Sequence, residues 1–243
     1  MTLILKGVTC KPVRRFLRAG GLAYNLRLFE TQTGGMLGNS QFVRNPYLVS
    51  REQVVPWPAP NGEILKLAFP ARIHPRTKGH DLLIDVHSAD RWRARPVEVS
   101  FFGKGPWQKT LTTLLQSRNF SNVRFHGHVS DIEGIWRSHH ALILPSRHEG
   151  LPICVVEAMM AGLPCIVNPA GGSAEFVEDG HTGFVSTSCS AKGLDEAMER
   201  AWQARSEWPQ MGEAAARAIR ADVPVDPART FADQLLGWLS ERR

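Results

Sequence analysis

Between residues 65 and 168 the chain alternates short apolar runs with stretches of helical periodicity. The runs Leu65–Ala71, Val97–Phe102, Val123–His126, Ala141–Pro145 and Cys165–Asn168 have strand length. Helical spacing falls between them, over Gly79–His87, Trp107–Ser117, Ile132–Ser138 and Pro152–Ala161. Because the runs are continuously apolar, they predict strands buried on both faces. Strand–helix alternation of this kind predicts an α/β fold, a Rossmann-like parallel sheet with helices on both faces. Ligands of such sheets bind beyond the carboxyl ends of the strands, so the residues just after each run are the candidates for chemistry.

The flanks read differently. Residues 1–62 form a short irregular and helical segment, separate from a body at 63–243. One helix is expected over Val13–Phe29, with Val13, Phe16, Leu17, Tyr24 and Leu28 at helical spacing. Gly20 and Gly21 weaken it. Thr33–Ser40 reads as a loop, and Pro46, Pro56, Pro58 and Pro60 mark a linker. Toward the other end, Leu194, Met198, Ala201 and Trp202 share a helix face, and Phe231, Leu235 and Leu239 mark a last helix. Both stripes are expected to be core or interface.

Composition narrows the classes. The net charge of +6 lies wholly in residues 1–60, which hold eight basic and two acidic residues, whereas the remainder is balanced. With the excess outside the ordered body and no interleaved aromatics, nucleic acid is not an expected partner. No apolar stretch approaches the roughly 20 residues of a membrane span, and Lys6 and Lys11 break up the N-terminal apolar run, unlike a signal peptide. Cys10, Cys154, Cys165 and Cys189 form no CxxC pair, which fits reduced thiols in a cytosolic protein. The pairs His126/His128 and His139/His140 have no evident third ligand, so no metal site is expected.

The segment Pro145-Ser-Arg-His-Glu149-Gly-Leu-Pro-Ile-Cys-Val-Val-Glu157 carries the strongest candidate chemistry. A buried strand ends at Pro145, Gly150 permits a tight turn, and Pro152 suits the start of a helix with Glu157 in its second turn. A helix N-terminus offers free N–H groups and a positive dipole end, a seat for a diphosphate. Two carboxylates beside it can accept hydrogen bonds from sugar hydroxyls. Spacing alone fits equally a helix-capping Glu149 and a surface Glu157. After the first strand, Ala71-Arg72-Ile-His-Pro-Arg-Thr-Lys78-Gly79 reads by itself either as a solvated basic loop or as a cationic anion site.

These motifs resemble the family 4 (group 1) retaining glycosyltransferases of the two-lobed GT-B fold. The resemblance rests on the Glu-x7-Glu pattern of Glu149 and Glu157 and on the Arg72…Lys78-Gly79 element. Weaker matches follow in order: Gly103-Lys-Gly105, Phe125-His-Gly127-His128-Val129, Pro169-Ala-Gly171-Gly172-Ser173-Ala-Glu175 and Gly180-His-Thr-Gly183-Phe. Ser173 is expected to cap a helix, and Gly180–Phe184 to form a turn. The resemblance spans about 65–205. It implies that Glu149 contacts the donor sugar and Glu157 the nucleotide ribose. It also implies that Arg72 and Lys78 stabilise the leaving diphosphate, a catalytic role shared with Glu149. Gly103, Gly150, Leu151, Pro152 and His128 would line the nucleotide site. The implied reaction moves a sugar from a nucleoside-diphosphate sugar to a glycan or lipid-linked acceptor with retention and without a metal. Sugar-nucleotide 2-epimerases share the fold but fit the motif pair less well.

Enzymes of that family have two lobes of similar size. Here about 60 residues precede the donor lobe, which implies a remnant of the acceptor lobe, with Val43–Pro46 resembling its exit strand. Two alternatives follow: a nucleotide-sugar-binding subunit with a separate acceptor-lobe chain, or a fragment. The expected location is cytoplasmic, with Arg14, Arg15, Arg18 and Arg27 available for peripheral contact with the inner membrane face at about 1 kcal/mol each. The competing reading of those arginines is a remnant without lipid contact.

Overall fold

A computed structural model describes residues 2–3, 16–19, 40–52, 55–58 and 64–240. Its centre is a six-stranded, all-parallel sheet. The strands are β4 (Leu65–Pro70), β5 (Val97–Phe102), β6 (Val123–Gly127), β7 (Ala141–Leu144), β8 (Cys165–Val167) and β9 (Gly183–Val185), in the order β6-β5-β4-β7-β8-β9. The predicted α/β class and all five predicted strands are present. Gly180–Phe184, expected as a turn, runs into β9. Its three apolar residues are too short to register as a strand, and pairing with β8 makes them one.

The sheet is buried on both sides, as continuous apolar runs require. Ala141, Leu142 and Ile143 are fully inaccessible, as are Ala68 and Phe69 in β4. The helix Ile153–Met160 buries Val155, Val156, Ala158, Met159 and Met160, and the helix Trp208–Asp222 packs on it. The helix Ala191–Gln203 buries Leu194, Met198 and Ala201, the face expected from their spacing. Two short helices escaped prediction: the single turn Pro75–Lys78 and Asp90–Ala94.

Outside the main sheet, β1 (Thr2–Leu3), β2 (Phe16–Ala19) and β3 (Ser40–Val43) form a small mixed sheet. The helix expected over Val13–Phe29 is therefore corrected at Phe16–Ala19, where parallel pairing with β3 supplies the backbone bonds a helix would have made. The rest of that helix, and the expected loop over 33–39, lie outside the described residues. Residues 44–52 and 55–58 are strapped to the body. Tyr47 Oη donates to the Val225 carbonyl (3.1 Å), the Ser50 amide to Glu133 (2.8 Å), Arg51 to the Val223 carbonyl (2.6 Å) and the Val55 amide to the Ala161 carbonyl (3.0 Å). Val49 joins the core. The last helix, Pro227–Ser240, lies beside β3. Its stripe is rotated from the expected one: Phe231 and Leu235 are half-buried, whereas Leu239 is 62% exposed. Among the described residues no helix is long and apolar enough to cross a membrane.

Three histidines, His80, His87 and His139, are sealed in this core, and burial pushes each from 6.5 down to about 4. A base held below its unfolded value stabilises the fold above pH 6.5, and that stability drains as pH falls toward 4. His80 stacks on Phe69 (ring centroids 4.5 Å) and neither ring nitrogen has a partner. His80→Phe should therefore raise the melting temperature, with a gain larger at pH 5 than at pH 7 by about 2 kcal/mol of unfolding free energy. Calorimetry at the two pH values measures this, and equal gains would contradict it.

Candidate functional site

The chain lays down β4, β5 and β6 toward one edge, returns to the centre for β7, and continues to β8 and β9 at the other edge. The direction reverses between β4 and β7, so the loops leaving these two strands diverge around a crevice, the usual ligand position in a parallel sheet. Lys78 ends the helical turn after β4, and Glu149 lies in the loop after β7. They meet there: Lys78 Nζ donates to Glu149 Oε1 at 2.6 Å. Ser146, fully buried, donates its hydroxyl to the same oxygen at 2.7 Å.

Backbone contacts sew the loops into a row. Gly79 follows Lys78 at φ 75°, and a Cβ there would lie 1.9 Å from the Pro145 carbonyl oxygen, so only glycine fits. The amides of Arg147 and His148 both donate to the Thr77 carbonyl, at 2.8 and 3.3 Å. On one side Ala71 donates to Phe102, Ile73 to Lys104, and Gly103 to Gly127, at 2.9, 3.1 and 2.6 Å. On the other, Gly172 donates to Gly150 at 2.7 Å. The Arg72, Gly103, Gly127, Glu149 and Gly171 motifs, distant in sequence, thus lie on adjoining loops along one edge.

The helix Ile153–Met160 begins after Gly150, Leu151 and Pro152, which follow Glu149. Its N-cap is Pro152, no side chain caps it, and no acidic residue lies in its first turn. The first N–H groups of a helix have no intrahelical acceptor, and their end of the dipole is positive, so the terminus is open to an anion. Glu149 is not its cap, since its carboxylate is taken by Lys78 and Ser146. Nor is Glu157 a surface residue: it is only 6% exposed. Burial pushes its carboxyl from 4.5 up to about 7, opposed by a hydrogen bond from the Leu48 amide at 3.2 Å. Its other oxygen has no partner among the described residues. The half-buried Cys154 thiol senses Glu149, Glu157 and Lys78 together, and desolvation raises it well above its ordinary value.

The remaining expected residues are more peripheral. Arg72 is exposed and makes no ion pair among the described residues. His128 is exposed one residue past Gly127, on the far side of the Gly103 loop. Leu151 and Pro152 are buried at the helix start. Ser173 is not a cap: Gly172 is the N-cap of Ser173–Phe176, and the Ser173 hydroxyl is buried without a partner. The sequence reading gave no role to Arg147, which grips Asp81 with two bonds (2.8 and 2.7 Å) and the Pro75 carbonyl (3.1 Å), clamping the turn that carries Lys78. Its partner lies 66 residues away, so no local signal could have found it.

Only after this geometry do relatives add information. A family model described as Glycosyl transferases group 1 matches residues 65–204, and the chain belongs to that family. The Vi polysaccharide biosynthesis protein VipC/TviE of Salmonella typhi is 39% identical over 87 residues, 35% of this chain and 15% of that protein. The GDP-mannose-dependent alpha-(1-6)-phosphatidylinositol monomannoside mannosyltransferase of Mycobacterium tuberculosis is 31% identical over 180 residues, 69% of this chain and 46% of that enzyme. Among solved structures, Anabaena Alr3699/HepE in complex with UDP superposes with a TM-score of 0.73 at 21% identity, covering 92% of this chain and 63% of that one. The chain thus spans less than two thirds of the length of each relative.

An acid held above its unfolded value stabilises the fold below pH 4.5, and that stability is lost as pH rises through about 7. Glu157→Gln keeps an acceptor for the Leu48 amide and removes the charge. It should stabilise the chain at pH 8 by on the order of 2–3 kcal/mol more than at pH 4. Denaturant unfolding at both pH values tests this, and a pH-independent difference would show that Glu157 titrates as an exposed carboxyl.

Proposed function

We propose that this chain carries the donor site of a retaining glycosyltransferase that uses a nucleoside-diphosphate sugar. The observation that supports this best is the Lys78–Glu149 pair at the strand-order reversal, with Glu149 in the loop that leads into an uncapped helix N-terminus. In this reading the diphosphate sits on the first turn of Ile153–Met160. Lys78 has three donors, so it can keep Glu149 and still reach a phosphate oxygen. Arg72, exposed and unpaired, turns onto the same group. As the glycosidic bond breaks, negative charge builds on the leaving diphosphate, and cations already in place stabilise it. Glu149, held by Lys78 and Ser146, accepts hydrogen bonds from the sugar hydroxyls. Glu157 accepts from the ribose, and Gly103, Gly150, Leu151 and His128 complete the walls.

The acceptor in this reading is a glycan or a lipid-linked sugar, in keeping with the polysaccharide and phosphatidylinositol mannoside chemistry in the relatives' names. With retention, the donor phosphate itself helps take the acceptor proton, so no protein base is needed on this side of the cleft. The charge neutralisation comes from Arg72 and Lys78, so EDTA should leave nucleotide affinity unchanged.

Calorimetric titration with UDP, GDP and ADP tests the reading. One of them should bind, near 10 µM or about −7 kcal/mol. Lys78→Ala and Glu157→Ala should each weaken it by roughly 1.5–3 kcal/mol. A folded chain that binds none of the three, or variants that bind as the native chain does, would contradict it.

A further inference from the structure

Leu48 is an unpromising functional residue. It lies in the strap after β3, its side chain is 75% exposed, and no motif includes it. Its backbone is another matter. The Leu48 amide donates to Glu157 Oε1 at 3.2 Å across 109 residues of sequence. Neighbours fix that amide from both sides: Tyr47 to the Val225 carbonyl, Ser50 to Glu133, and Arg51 to the Val223 and Arg220 carbonyls. The strap thus reaches the donor helix as a held backbone strand, and its Leu48 amide meets the buried Glu157 carboxylate.

We infer that the backbone N–H of Leu48 positions Glu157, anchoring one carboxylate oxygen so that the other faces the nucleotide ribose. The inference rests on the donor-site reading above and adds a residue outside the matched region to it. A buried carboxylate favours its neutral form, and a hydrogen bond donated to it favours the anion. A neutral Glu157 would offer the ribose a weaker acceptor. The Leu48 amide therefore works in two ways, fixing the direction of the carboxylate and holding it closer to ionisation. The ionisable groups nearby are the Cys154 thiol on the same helix, with Glu149 and Lys78 beyond it. None of them donates a hydrogen bond to Glu157 among the described residues. A consequence is that nucleotide occupancy and the path of the strap are linked, because both act on the same carboxylate.

Leu48→Pro removes the N–H at a position whose side chain is not packed. In the native chain the Leu48 amide proton shift should follow a titration with a midpoint near 7. That titration should vanish in Glu157→Gln. In Leu48→Pro the Glu157 carboxyl, followed by carbon-13 NMR, should titrate about one pH unit higher. Affinity for the nucleotide that binds among UDP, GDP and ADP should then fall at least five-fold at pH 7 and recover about five-fold by pH 9 as Glu157 ionises, with the loss from the freed carboxylate direction persisting at both. Misfolding or loss of packing would weaken binding by the same factor at every pH instead. A Leu48 amide shift indifferent to Glu157, or a Leu48→Pro chain with native midpoint and affinity, overturns the inference while the donor site stands. If Glu157→Gln itself leaves nucleotide affinity unchanged, the donor-site reading falls and the inference with it.

Discussion

The carboxyl edge of the sheet depends on one close approach. The backbone of Gly79 passes so near the Pro145 carbonyl that no side chain could stand between them. That approach brings together the loops leaving β4 and β7, the two strands at which the sheet changes direction, and sets Lys78 against Glu149. The Arg147–Asp81 clamp and the two amides on the Thr77 carbonyl hold the same junction from the outside. A sheet strand is rigid because it is hydrogen-bonded and buried on both sides. A loop has to acquire rigidity from such contacts, and these loops acquire it from each other's backbone. The site then has the preorganisation that stabilising a developing charge requires.

The electrostatics follow from that placement. A cation and a carboxylate are paired next to a helix terminus that has no cap, while a second carboxylate lies four residues into the helix, nearly sealed from water. Each group alone has a structural explanation. The burial of Glu157 stands out, because sealing a carboxylate from water costs stability unless something compensates. A buried carboxyl raised as Glu157 is, beside a crevice, is typical of working sites. The three buried neutral histidines are different in kind: each packs against an aromatic ring, His80 on Phe69, His87 on Trp92 and His139 on Phe102, and reads as packing.

Most of the sheet was legible because its strands are buried on both faces and so announce themselves as unbroken apolar runs. β9 was missed because three residues carry no periodicity, and only its pairing with β8 defines it. Phe16–Ala19 carried helical spacing but was claimed by β3, a long-range partner that local pattern cannot foresee. In the site, Lys78, Glu149 and Glu157 stood out because they lie in motifs just after strands. Spacing could not say whether Glu157 was buried, which the packing of its helix decides. Arg147, Ser146 and Leu48 were invisible for a common reason: each acts through a backbone or side-chain partner that the fold brings near, and Leu48 acts through an atom every residue but proline has.

The central claim is that a nucleoside diphosphate occupies the crevice between the β4 and β7 loops. A crystal structure of the chain with the nucleotide that binds it tests this most directly. The account predicts diphosphate oxygens within hydrogen-bond distance of Lys78 Nζ and the first amides of Ile153–Met160, with a ribose hydroxyl on Glu157. A nucleotide bound elsewhere, with Lys78, Glu149 and Glu157 undisturbed in their present contacts, would contradict it.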